Sequence, residues 1–256
     1  MLPRETSIGL LLAHVHDEFG PDCWLAPATG HAEKTQALCQ LLKDAVLDLC
    51  RMSEKLLRIQ VTNQLDISAS YFPKPGSLIC SALLAKPGIE HPKLCLEATL
   101  VGFGWHGPES IQLELNIGYE HTKTYRWLVA NWRRPLSLML QPLGLEIWDN
   151  GVPFAAQGAV KPEYRGKDVL RRTENYLDRS EGDDNQTFSF QTNIYRDTSE
   201  QHAALVMAVF LAVYDSLVLM LSKRAKPDHL LKHFLNLRPH LPRISFRAAN
   251  AFPEFL

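Results

Sequence analysis

His229 and His233 stand four residues apart in a stretch with helical periodicity, Asp228 to Asn236. That spacing puts two imidazoles on one helix face, where they can share a metal ion. The residue after His229 is Leu230, so the general-base glutamate of the His-Glu-x-x-His zinc-protease pattern is missing, and a polar helix face is the simpler reading. His14 and His16 form a second pair. The apolar stripe Ile8, Leu11, Leu12, Val15 and Phe19 makes their segment helical, which would turn residues two apart by about 200° and prevent a shared ion. A third group, Trp127, Trp132, Arg133 and Arg134, lies in a run from Tyr125 to Arg134 that mixes aromatics with arginines, the types enriched in binding hot spots. Core strand packing with the arginines on the wet face is the competing reading. The fourth is the stretch Lys223 to Asn250, where seven Lys or Arg, Arg238 and Arg243 among them, face one acid, Asp228. Such a stretch suits an acidic partner, RNA or a membrane surface, or can fold back on the acid-rich residues 174–184.

Several short matches to known chemistry fail on spacing. Val15-His16-Asp17-Glu18 resembles the palm motif of family A DNA polymerases, but that motif needs a β-hairpin and this segment is helical. His14-x-His16 resembles the first ligand pair of TatD-like and amidohydrolase barrels, which needs a strand. Asp149-Asn150-Gly151-Val152-Pro153 resembles the Asp-x-Gly-x-Gly box of the gyrase and histidine-kinase ATPase fold, with Asn116 as the magnesium-binding asparagine that resemblance implies. Pro153 replaces the second glycine, however, and Asn116 lies in a period-two strand pattern. Asn150-Gly151 between two β-rich runs reads instead as a type I′ hairpin turn. Arg224 with His229 resembles the Arg-x4-His pair of small helical ribonucleases. No Asp or Glu is followed two positions later by Lys, which excludes the standard PD-(D/E)xK nuclease pattern. The Gly-x-x-x-x-Gly-Lys phosphate loop and the Gly-x-Ser-x-Gly nucleophile elbow are absent from the sequence.

Composition narrows the class without naming a function. The 256 residues carry 27 Lys plus Arg against 28 Asp plus Glu, so no bulk charge drives binding to nucleic acid or anionic membrane. An apolar fraction of 46% is too high for a disordered chain. The five cysteines lie within the first 95 residues and never as Cys-x-x-Cys, which favours buried reduced thiols over a disulfide framework. Without a signal-like start, a cytoplasmic protein is expected. Ala203 to Leu221 is apolar apart from Asp215 and Ser216 and is long enough to span a bilayer. Asp215 near mid-bilayer would cost about 2.5–3.5 kcal/mol, so a buried core helix is the preferred reading.

The elements that must position these residues follow from periodicity. Helices are expected at 7–19, through the stripe Leu38, Leu41, Leu42, Ala45, Leu49, Met52 and Leu56, at 203–221 and at 228–236. Period-two alternation predicts strands at 57–61, 65–71, 111–117 and 188–194, with further strands at 78–85, 94–103, 124–131, 136–141, 143–148 and 153–160. Thr198-Ser199-Glu200-Gln201 reads as a capping box, with Thr198 as the cap. The expectation is a single α+β domain over 1–256. It comprises a helical segment 1–56, an antiparallel meander over 57–160 in a sheet of about six to eight strands, a charged loop 161–187, strand and C-terminal helices 188–236, and a tail 237–256. The sheet should pack on the long apolar helix. The function expected first is a non-catalytic interaction factor, such as an adaptor, inhibitor or immunity-type protein, with no cofactor. Its contacts would be Trp127, Trp132, Arg133, Arg134, Arg238 and Arg243, its partner a protein, with nucleic acid or a second copy of the chain as alternatives. The second expectation is a small-molecule binder using a cavity between sheet and helix, and the third a nucleic-acid-acting or metal-dependent enzyme using His229 and His233.

Overall fold

A computed structural model describes residues 7–19, 32–60, 62–74, 77–88, 94–101, 110–118, 121–140, 146–149, 152–153, 187–195, 198–222 and 228–241. Two helices, α1 (Ser7–Phe19) and α2 (Ala32–Leu57), precede four strands, β1 (Asp66–Lys74), β2 (Ser77–Ala85), β3 (Leu94–Val101) and β4 (Ser110–Gly118). Helix α3 (Thr122–Leu140) follows, then β5 (Glu146–Asp149), β6 (Val152–Pro153), β7 (Thr187–Tyr195), α4 (Glu200–Leu221) and α5 (His229–Leu237). The fold is α+β, with an apolar helix near the C-terminal end of the described residues. Five strands of eight or nine residues make the body of the sheet, and the short pieces β5 and β6 extend one edge.

The strand order is β1-β2-β3-β4-β7-β5-β6, with every neighbouring pair antiparallel. The meander therefore holds for β1 to β4 only, and β7 enters between β4 and β5. One face is apolar across the strands, with rows such as Leu84, Leu96, Leu115 and Phe190 in register. Helix α2 covers it at β1 and β2, and α4 covers it at β3 and β4. The opposite face is polar. Ser81 meets Thr99 at 2.9 Å, Gln112 donates to Gln191 at 2.7 Å, and Glu97 stands directly across from Glu114.

Helix α4 lies between the sheet on one side and α3 and α5 on the other, with α2 beside it. That position explains why all sixteen residues from Ala203 to Val218 are buried, on every side of the helix rather than along one stripe. Buried hydroxyls along it are satisfied by backbone carbonyls: its own Ser216 donates to Ala212, and Ser53 of the neighbouring α2 donates to Ala204. The helix is long and apolar enough to cross a membrane, but within this fold it is the centre of the core.

Three sequence expectations are corrected. The strands expected at 124–131 and 136–141 are one kinked helix, α3. Its buried residues Tyr125, Leu128, Val129, Leu136, Met139 and Leu140 form a stripe at helical spacing. Trp132, at φ −128° and ψ 28°, breaks the helix, so Pro135 falls in the first turn of the second half, where no amide is needed. Where a strand is expected at 57–61, Leu57 is the last residue of α2 and Arg58 and Ile59 turn away from it, with Val61 outside the described residues. Arg58 takes a left-handed φ of 54° there, and Ile59 donates to the Glu54 carbonyl. The cap of α4 is Ser199, which accepts from the His202 amide, while Thr198 accepts from Tyr195. Residues 161–186 of the charged loop and most of the tail lie outside the described residues, as do Asn150 and Gly151, while Thr187 opens β7.

Candidate functional site

Asp215 is the one ionisable acid in the buried run of α4, and three side chains from two other parts of the fold converge on it. Lys86 leaves β2 at a Lys86-Pro87-Gly88 turn, with Gly88 at φ 81°, and its backbone amide donates to the Tyr214 hydroxyl at 2.7 Å. That bond fixes the exit of β2 against α4 and lets Lys86 Nζ reach Asp215 Oδ1 at 2.7 Å. From α5, His229 Nε2 lies 2.8 Å and His233 Nε2 3.2 Å from the other oxygen, Oδ2. The two imidazoles meet edge to face, with ring centres 4.8 Å apart. The four-residue spacing read from the sequence thus does place both histidines on one helix face, and that face is aimed at the core.

Burial alone would raise the Asp215 carboxyl. The hydrogen bonds from His233, Lys86 and His229, with the Lys86 charge, outweigh it and hold the carboxyl well below the usual carboxylate range. An ionised carboxylate only accepts, so each Nε2 that faces it carries the proton. His233 is 1% exposed, and its Nδ1 has no partner among the described residues. The His229 side chain is 30% exposed and opens the cluster to solvent. A carboxylate oxygen and two imidazole nitrogens within 4.8 Å of one another form a donor set suited to a divalent transition metal. The same set can orient His229 as an acid or base.

The other expected site residues fall on helices rather than on a strand. Trp127 projects from α3 at 48% exposure, with Lys123, Asn131 and Arg134 also exposed along that helix. Trp132 is packed against the core at the kink, and Arg133 is half-buried. Arg238 is exposed and caps α5 through its amide, which donates to the Phe234 carbonyl. Arg243 lies outside the described residues. Helix α3 packs directly on α5, which brings the aromatic-arginine segment and the start of the basic C-terminal stretch together. His14 sits on helical backbone with His16, and Asn116 of β4 donates to Glu97 at 3.5 Å. Sequence reasoning missed Asp215 as the partner of the two histidines and missed Lys86 altogether. The lone acid inside an apolar helix was the available signal for Asp215.

A separate cavity of about 230 Å³ lies between α1, α2, the end of β7 and the start of α4, bordered by Asp48, Arg51, Tyr195 and Glu200. It is smaller than the roughly 300–1,000 Å³ of ligand pockets, and its lining does not include Asp215 or the histidines. No family model matches the chain, and no significant match to it was found among curated proteins or solved structures.

Proposed function

We propose that the protein is a non-catalytic interaction factor of the cytoplasm whose α3 and α5 surface engages an acidic partner protein. The observation that carries this reading is the packing of α3 on α5, which joins two separately basic segments into one surface. Helix α3 contains Lys123, Arg126, Arg133 and Arg134 and no acid. Lys232 and Arg238 add two more cations from α5, against Asp228 at its start. Trp127 and Leu235, about half exposed, supply apolar contact area within this charge. Tryptophan and arginine are among the residue types enriched at binding hot spots, and a complementary acidic surface would steer the encounter. The chain's net charge of −1 gives no general attraction to polyanions, so a protein with a local acidic patch fits better than nucleic acid.

The test is affinity capture from cell extract with and without nuclease, comparing wild type, Trp127→Ala, Arg134→Glu and a control charge change on α2, Lys55→Glu. A nuclease-resistant acidic protein should bind wild type and the control alike. Trp127→Ala should weaken it by about 30-fold, the size of a hot-spot loss of 2 kcal/mol. Capture that is nuclease-sensitive, or equal for all four proteins, would reject the reading.

A further inference from the structure

We propose that Asp215, His229 and His233 form a binding site for a divalent transition metal of the zinc class, independent of the surface proposed above. The two histidines come from successive turns of α5 and present Nε2 to the same carboxylate oxygen, at 2.8 and 3.2 Å. A tetrahedral zinc with bonds of about 2.0–2.1 Å holds its ligand atoms roughly 3.3 Å apart, so the two nitrogen–oxygen separations are already close to those of a coordination shell, and all three donors lie within 4.8 Å of one another. Small rotations of the side chains make room for the ion, and the partly exposed His229 has the freedom to turn.

The surroundings are those of a built site. Asp215 is 6% exposed in an otherwise largely apolar buried run of α4, and its carboxylate is matched there by Lys86 and the two histidines rather than by hydrophobic packing. A buried ion pair serves stability poorly compared with apolar residues of the same volume. Lys86 occupies Oδ1 and leaves Oδ2 as a single-oxygen ligand, in the manner of outer groups that orient a ligating carboxylate. Because Lys86 already balances the Asp215 charge, the bound ion would keep its own charge and favour an anionic oxygen as the fourth ligand. The solvent-facing side of His229 is where that ligand enters.

The experiment uses the full chain, stripped with chelator and titrated with Zn²⁺ by calorimetry, then with Co²⁺ by absorption. Wild type should take one equivalent of Zn²⁺, and Co²⁺ should give tetrahedral d–d bands without a thiolate charge-transfer band. His229→Gln should bind at least about tenfold more weakly; being partly exposed, the position tolerates the change, which circular dichroism checks. Absence of stoichiometric binding, an unchanged constant for His229→Gln, or a thiolate band marking the Cys39 and Cys80 sulfurs, 2.9 Å apart, would overturn the proposal.

Discussion

Lys86 Nζ and Asp215 Oδ1 are 2.7 Å apart across 129 residues of chain, with side chains only 13% and 9% exposed. The pair ties the end of the second strand to the central helix. Removing one partner leaves an uncompensated charge in the core, so Lys86→Met should cost about 3–5 kcal/mol in urea unfolding. The double variant Lys86→Met with Asp215→Leu should recover most of that loss. Equal stability for the single variant and wild type would show that the pair contributes nothing.

Acid should release this tie. The Asp215 carboxyl is held below its ordinary value of 3.8 in the folded chain, so the unfolded chain binds its proton first as pH falls. Its contribution is complete above the ordinary carboxyl range and is lost as pH drops through that range toward the folded-state value. Urea midpoints measured between pH 7 and pH 3 should fall for wild type, and Asp215→Asn should flatten the slope.

Glu114 should behave in the opposite sense. Burial raises its carboxyl, as does the charge of Glu97 across the strand pair, and hydrogen bonds with Ser189 and Gln191 offset this only in part. A carboxyl raised in the folded state resists ionisation there, so its native state loses stability as pH rises. Glu114→Gln should therefore raise the urea midpoint at pH 7, with the gain shrinking as pH falls through the raised folded-state value and gone below the ordinary value of 4.5.

The buried thiols should be poor nucleophiles. Burial pushes Cys50 and Cys95 up to about 12, with nearby Glu54 and Glu97 adding to the effect. Iodoacetamide at pH 8 followed by mass spectrometry should label both far more slowly in the native protein than in urea, because the thiolate is the reacting form. Equal rates in the two states would contradict their placement in the core.

How far the sequence could be read depends on whether a local pattern or a distant contact decided the outcome. Helices α1, α2, α4 and α5 were legible because each carries an uninterrupted 3.6-residue period or an apolar run too long for a strand. Helix α3 was not, although Tyr125, Leu128, Val129 and Leu136 keep the same period. Its aromatic and branched residues favour strands locally, Pro135 reads as a stop, and the kink at Trp132 that accommodates the proline has no sequence signature. Arg58 ends α2 in a left-handed conformation that glycine usually provides, so that boundary carried no signal either. The histidine pair was visible from spacing alone. Its partners were not, because only the packing of α4 between sheet and helices brings Lys86 and Asp215 to α5.

The insertion of β7 beside β4 sets the order in which a growing chain can mature. Ser110 pairs with Val101 early but finds its second cross-strand neighbour only when Tyr195 has been made, so one side of β4 stays a bare edge while the intervening residues emerge. The helix that seals the apolar face follows still later. A nascent chain therefore presents Leu96, Leu113 and Leu115 to solvent from the completion of β4 until that helix is made, a stage at which holding by a chaperone competes with aggregation. Translation pausing after residue 118 would lengthen that exposure, whereas pausing after residue 221 would not.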